Sequence, residues 1–116
     1  FRYDLVEVLN RYQMFVSCES IFNFPPAKFF EGPACGCVLV CADHECNREF
    51  GFADGVNCIM YKMNDIDSLF TKIEFYSRNL SLLKQIQQNG TEFVRENYSH
   101  DKVASDLLTK LNNLRK

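Results

Sequence analysis

The 116-residue sequence predicts an α/β domain in which short parallel strands alternate with helices. Short apolar, β-branched runs recur between segments whose apolar residues repeat at helical spacing. In addition, Gly36 ends one predicted helix immediately before the apolar run 38–41. Such a tight return from helix to strand is typical of a parallel sheet that is covered on both faces.

The first half of the chain supplies all the predicted strands. Pro25 and Pro26 favour a helix start, because the N–H groups that proline lacks have no partner in the first helical turn. In chain order, the pattern predicts a helix over 2–12, a strand over 14–18, a helix over 27–34, a strand over 38–41, a short helix over 43–50, a turn at 54–55 and a strand over 58–61.

The second half is predicted to be helical. Asn64, with Asp67 three residues later, is predicted to cap a helix that carries Ile66, Leu69, Phe70 and Ile73. A helix over 80–98 has Leu83, Ile86, Phe93 and Val94 as its apolar stripe. A last helix, capped by Ser99, carries Val103, Leu107, Leu108, Leu111 and Leu114. No strand separates the last two helices, so they form a helical tail to one domain that spans 1–116.

Composition excludes several classes of protein. The formal net charge of −2 argues against a basic face for nucleic acid. No apolar run is long enough to span a bilayer and no signal peptide is present, so a cytoplasmic location is predicted. The chain opens without Met on predicted helix, and we interpret it as a piece of a longer protein.

The six cysteines are predicted to be free thiols in a reducing compartment. A zinc site is the main rival interpretation, because several cysteines and one histidine cluster within residues 35–46. No Cys-x₂-Cys pair occurs there, so we predict no metal. Both histidines lie far from Cys18, which disfavours nucleophilic chemistry; His44 is interpreted as a solvated loop residue and His100 as part of the first turn of the last helix.

The candidate site is the strand, loop and helix over residues 14–34. Ligands of open α/β sheets bind beyond the carboxyl ends of the strands, and a helix start attracts a diphosphate. Lys28 adds a positive charge there, and the Glu31 carboxylate suits the two hydroxyls of a ribose. On spacing alone, a solvated surface pair is the more common explanation of Lys28 and Glu31. Glu19, close to the end of a strand, could be mistaken for a sugar-binding acid, but it is interpreted as a polar loop residue. Four aromatic residues could stack on a base or sugar, but aromatic core packing is more frequent; they are Phe22, Phe24, Phe29 and Phe30.

Residues 28–36 read Lys-Phe-Phe-Glu-Gly-Pro-Ala-Cys-Gly and run into an apolar strand. This segment resembles the Arg/Lys-x-Phe-Glu-Ala-x-Ala-Cys-Gly segment of group 1 glycosyltransferases, above all their spore-maturation-protein-like branch. The likeness continues through 49–50, 54–57, 59–61, 64–65, 89–90 and 98–100, and so covers most of the chain.

The resemblance implies the later part of the C-terminal, donor-binding domain of a GT-B enzyme, whose active site lies between two Rossmann-like domains. It implies that Glu31 binds the ribose and that the helix start at Pro26, Ala27 and Lys28 meets the diphosphate. Lys28 would also stabilise the leaving group. Many relatives carry a glutamate eight positions before the ribose glutamate, in contact with the donor sugar. Here that position is Asn23, a departure that leaves the stereochemical outcome open.

The implied activity is a hexosyl-type transfer from a nucleotide-diphosphate sugar to a sugar, lipid or protein acceptor, with no other cofactor. The acceptor domain and a basic phosphate loop are expected outside this chain, so the chain alone is expected to be inactive. Peripheral membrane association is compatible with this activity. The alternative is a degenerate, non-catalytic module that binds a nucleotide or a protein, and Asn23 favours that alternative.

Overall fold

A computed structural model describes residues 4–115 of the chain. The elements in order are α1 (Leu5–Asn10), β1 (Met14–Val16), α2 (Lys28–Ala34), β2 (Val38–Ala42), α3 (Glu45–Glu49), β3 (Ile59–Tyr61), α4 (Ile66–Arg78), α5 (Leu80–Tyr98) and α6 (His100–Leu114). Each predicted helix and strand is present with ends shifted by a few residues, except that residues 2 and 3 of the first helix lie outside the described residues.

The three strands form one parallel sheet in the order β1-β2-β3. Met14 is aligned with Val38, and Val40 with both Val16 and Ile59. The central strand β2 is buried along its whole length, as expected for a parallel strand that is covered on both faces. The predicted α/β fold with a parallel sheet is therefore confirmed.

Two apolar clusters cover the two faces of the sheet. Alternate residues of β2 point to opposite faces, so Leu39 and Cys41 join one cluster and Val38 and Val40 the other. The first cluster is completed by Phe29, Phe52, Cys58 and Met60, and the second by Ile59, Tyr76, Leu83 and Ile86. Helix α2 thus covers one face, and helices α4 and α5 cover the other.

Helix α2 is fixed at its end by α5. The last carbonyls of a helix have no partner within it. Three α5 side chains supply donors: Gln87 Nε2 to Gly36 O at 2.6 Å, Thr91 Oγ1 to Pro33 O at 2.8 Å, and Arg95 Nη2 to Ala34 O at 3.0 Å. These donors recur every four residues and so share one helix face. Gly36 has φ +83°, which permits the predicted helix stop.

Glycine 32 lets α2 lie close to strand β1. A Cβ atom at this position would lie 2.2 Å from two ring carbons of Phe15, so a larger residue would displace that ring. With glycine at position 32, the Phe15 ring keeps its place against the first apolar cluster. The candidate site helix is therefore placed by contacts on both sides, with β1 and with α5.

Two details of the prediction are wrong. The N-cap of α4 is Asp65, whose side chain accepts from the Ser68 N–H at 3.0 Å, and not Asn64. Asn64 has φ 61°, a left-handed conformation that asparagine tolerates, and it turns the chain before the cap. Phe22 and Phe24 are largely exposed, whereas Phe29 is buried as expected.

The helical tail is confirmed, with Ser99 capping α6 through the Lys102 N–H at 3.2 Å. Its apolar stripe is exposed throughout, and α6 buries no residue. Within residues 4–115, no helix is both long enough and apolar enough to cross a membrane.

Candidate functional site

The candidate site lies at the carboxyl edge of the sheet, where the chain leaves β1 for α2. The parallel pairing extends past β1, because the Ser17 N–H donates to Val40 O at 3.0 Å. The loop over residues 17–27 then crosses this edge before α2 begins. In parallel sheets this is the edge at which ligands bind.

Ser20 organises the middle of the loop. Its N–H donates to Phe24 O at 3.0 Å, its carbonyl accepts from the Asn23 N–H at 2.9 Å, and its Oγ accepts from the Phe22 and Phe24 N–H groups at 3.3 and 3.4 Å. Asn23 closes this turn at φ 58°, where asparagine is several-fold enriched over most residues. The asparagine at the position where the resemblance leads us to expect a glutamate therefore occupies a left-handed backbone position, and its side chain is exposed.

The start of α2 leaves two backbone donors unpaired. Phe29 N–H donates to Pro26 O, while Phe30 and Glu31 N–H both donate to Ala27 O. Proline supplies no N–H, so the amides of Ala27 and Lys28 remain, and no acceptor for them exists among residues 4–115. Two adjacent amides at a helix start are suited to an anion.

Lys28 and Glu31 are both exposed beside these amides. Each salt bridge found between described residues lies elsewhere, so the two side chains do not form the surface pair that spacing alone would favour. Both charges can therefore reach a ligand from α2. The structure brings Ala27, Lys28 and Glu31 together on one short helix, and Asn23 lies in the preceding turn.

Glu31 lines an open groove of about 530 Å³ between α2 and the junction of α5 with α6. The lining of the groove is mostly apolar, and its residues include Phe30, Glu31, Val94, Arg95, Tyr98 and His100. Tyr98 packs against Phe30 with ring centroids 4.6 Å apart and ring planes tilted by 49°, and its hydroxyl donates to Phe50 O at 2.6 Å. Burial raises the pKa of Tyr98, so the phenol remains a neutral donor.

A second polar group, Glu19, lies at the same edge, and its partner Asn47 is not predicted by the sequence. Glu19 Oε1 accepts from Asn47 Nδ2 at 2.6 Å, and the same nitrogen donates to Ala42 O at 3.0 Å. Asn47 is fully buried, and Glu19, in the loop after β1 as predicted, is half-buried. The partners are 28 residues apart, so no local pattern could have paired them.

The cysteines are free thiols, and three of them are buried. Burial, with a contribution from Cys35, raises the pKa of Cys37 to about 11. A hydrogen bond with Cys58 and burial raise the pKa of Cys41. These thiols are protonated core residues and poor nucleophiles. Among residues 4–115 no three side chains of His, Cys, Asp or Glu are placed to hold a metal ion.

His44 is not a solvated loop residue, as the sequence interpretation had it. It is the N-cap of α3, and its Nδ1 accepts from the Cys46 N–H at 3.1 Å. His100 begins α6 as predicted. His44 therefore has a structural role, because it satisfies one of the unpaired donors of a helix start.

The fold and this edge together define a parallel α/β domain with a candidate ligand site at the carboxyl ends of its strands. A sequence profile of the glycosyl transferase-like family matches residues 1–109. The chain belongs to that family. No curated protein sequence matches the chain at a significant level.

Two solved structures share the fold. One is Anabaena HepE (Alr3699), solved in complex with UDP-glucose, with a TM-score of 0.85 and 15% sequence identity. The other is a glycosyltransferase from Rickettsia africae ESF-5, with a TM-score of 0.81 and 19% identity. Each match covers 97% of this chain. The chain spans 31% of the length of the first structure and 30% of the second.

Proposed function

We propose that this chain is the nucleotide-sugar-binding part of a GT-B glycosyltransferase that transfers a hexose to an acceptor hydroxyl. One observation carries the proposal: the exposed Glu31 carboxylate and the Lys28 charge flank two amides without a partner in residues 4–115, at the carboxyl edge of the parallel sheet. The likeness to a fold solved with UDP-glucose supports the choice of a nucleotide-diphosphate sugar.

In this proposal the roles follow from the chemistry of each group. The Glu31 carboxylate accepts hydrogen bonds from the two ribose hydroxyls. The amides of Ala27 and Lys28 donate to the diphosphate, and Pro26 fixes the turn that presents them. The Lys28 ammonium offsets negative charge on the same group. Asn23 donates or accepts one hydrogen bond at the donor sugar.

The proposed reaction is a substitution at the anomeric carbon. The acceptor oxygen forms the new bond to that carbon as the bond to the diphosphate oxygen breaks, and the acceptor hydroxyl loses its proton. Within this chain, Lys28 and the helix start stabilise the charge that develops on the leaving diphosphate. The remaining machinery, including the acceptor site for a sugar, lipid or protein, is proposed to lie in the rest of a longer cytoplasmic protein that contacts membranes only peripherally. The 116-residue domain alone is therefore proposed to be inactive.

The test is a calorimetric titration of the complete protein with UDP and with GDP. Glu31→Ala is expected to weaken binding of the preferred nucleotide by about tenfold or more, because two charge-assisted hydrogen bonds are lost. Glu96→Ala, an exposed glutamate on α5, is the control and should leave affinity unchanged. Equal affinities for parent and Glu31→Ala would contradict the ribose assignment.

A second function is favoured by one observation, the exposed Asn23 where relatives carry a glutamate. In that case the domain is a degenerate module that binds a nucleotide or a protein without transfer. Nucleotide binding by the complete protein with no sugar released from any donor would favour this module over the enzyme.

A further inference from the structure

We infer that Glu19, positioned by Asn47, contacts a hydroxyl of the donor sugar. This inference rests on the proposed function and assigns the sugar-binding acid to a residue outside the family pattern. The position that the pattern assigns is Asn23, four residues later in the same loop.

The placement of Glu19 is the first argument. It follows β1 by three residues and stands at the carboxyl edge, half-buried beside the strand ends. Asn23 lies instead in the exposed turn around Ser20, at a left-handed φ of 58°. A glutamate would be strained in that backbone conformation. In this chain, the carboxylate at the sheet edge is therefore supplied earlier in the loop.

The support beneath Glu19 is the second argument. Asn47 is 0% exposed, and its Nδ2 faces two acceptors, Glu19 Oε1 and Ala42 O. This pair of acceptors fixes which way the amide points, so the buried carbonyl Oδ1 is turned away from them. Asn47 holds one carboxylate oxygen, and no donor within residues 4–115 contacts the other.

The acceptors left at this edge indicate the chemistry of the ligand. Within residues 4–115 no donor contacts Glu19 Oε2, and the hydroxyl of Ser17, directly after β1, is buried without a partner. Buried polar atoms without a partner are rare in native structures. Acceptors require donors, and a sugar brings hydroxyl donors, whereas a phosphate brings none at neutral pH.

Tyr61 adds a neutral donor at the end of β3. Burial, and then the negative charge of Glu19, raise the pKa of its phenol, so the phenol remains neutral. The ends of β1, β2 and β3 thus contribute Glu19, Asn47 and Tyr61 to one edge. A carboxylate and a neutral phenol at the same edge of the sheet suit a polyol.

The test compares a sugar nucleotide with its parent nucleotide in the complete protein. UDP-glucose and UDP form one pair of probes, and GDP-mannose and GDP the other, with the pair chosen by whichever diphosphate binds. Glu19→Gln keeps the shape and an oxygen for Asn47 Nδ2, so the fold should persist. Glu19→Gln is expected to weaken binding of the sugar nucleotide by about tenfold and to leave the affinity for the parent diphosphate unchanged. Glu96→Gln is the matched control.

Other outcomes would overturn the inference. If Glu19→Gln changes the affinity for neither ligand, or weakens binding of both equally, Glu19 does not contact the sugar. Binding of the diphosphate by the parent protein would still support the proposed function. If Asn23→Ala alone weakens the sugar nucleotide, the sugar contact belongs to Asn23. If the parent protein binds no nucleotide, the proposed function fails and this inference fails with it.

The positioning role of Asn47 is tested by a double-mutant cycle. Asn47→Ala should weaken binding of the sugar nucleotide but not of the diphosphate. It should cause no further loss of affinity in a protein that already carries Glu19→Gln, because Asn47 acts through the Glu19 carboxylate. A loss of diphosphate affinity, or an additive loss of sugar-nucleotide affinity, would mean that Asn47 only supports the fold.

Discussion

Helices α5 and α6 follow one another directly and carry similar amphipathic patterns, yet they occupy opposite environments. Helix α5 buries Leu83, Ile86, Gly90 and Val94 against the sheet and α2. Helix α6, described over its whole length, buries no residue, and its apolar side chains are exposed.

The difference lies in what each helix can reach, not in its pattern. Helix α5 offers a glycine where another backbone approaches and polar side chains where α2 leaves unpaired carbonyls. Among residues 4–115, the polar contacts of helix α6 are local ones, such as Lys102 Nζ with Asp106 Oδ1 at 3.0 Å. Amphipathic spacing predicts a helix, and complementary contacts decide whether it becomes part of a core.

The same substitution on the two helices should expose this contrast most strongly. Leu83 is 4% exposed and Leu108 is 60% exposed. Leu83→Ala should lower the free energy of unfolding by about 2–5 kcal/mol, because it removes buried methyl groups and leaves a cavity. Leu108→Ala should change it by less than about 0.5 kcal/mol. Urea denaturation of the 116-residue chain measures both.

Equal losses of unfolding free energy in Leu83→Ala and Leu108→Ala would contradict the difference in burial between α5 and α6. The free energy of unfolding of the complete protein carrying Leu108→Ala is a further test. A loss of more than about 1 kcal/mol would show that another part of the protein covers α6, since substitution of an exposed leucine costs much less than that.

Glycine 90 tests how close α5 must approach its neighbours. A Cβ at this position would lie 2.7 Å from the Asn57 backbone oxygen. Alanine is the better helix former by about 1 kcal/mol, but overpacking costs about 1–3 kcal/mol. We expect Gly90→Ala to lower the melting temperature, whereas Gln88→Ala on the exposed face should not. A stabilised Gly90→Ala would mean that the α5 contact is looser than described.

Regular elements could be predicted from the sequence because each depends on local spacing. The limits of α5 were predicted to the residue, since apolar spacing and the Ser99 cap mark them in the chain itself. The cap of α4 was misplaced by one residue, because Asn64 and Asp65 are both good caps and only the backbone conformation separates them.

Tertiary partners could not be predicted in the same way. The exposure of Phe22 depends on the turn that Ser20 organises, and the link from Asn47 to Glu19 joins distant parts of the chain. The candidate residues on α2 were predictable because they share one short segment that carries the family resemblance. Their roles toward a ligand stay predictions.

The hydrogen bonds from α5 to α2 give the smallest and most specific test of the contrast. Thr91 and Thr109 each donate a hydroxyl to a carbonyl, but Thr91 reaches Pro33 O on another helix at 2.8 Å, whereas Thr109 reaches Ser105 O within α6 at 3.1 Å. Valine keeps the branched shape and removes the donor. Thr91→Val should therefore cost about 1 kcal/mol, in line with the net value of a hydrogen bond. Thr109→Val should cost about a few tenths at most, because its exposed carbonyl can bond water instead. Equal effects in urea denaturation would mean that the Thr91 bond does not hold α2, and that apolar contact alone fixes the helix that carries Glu31.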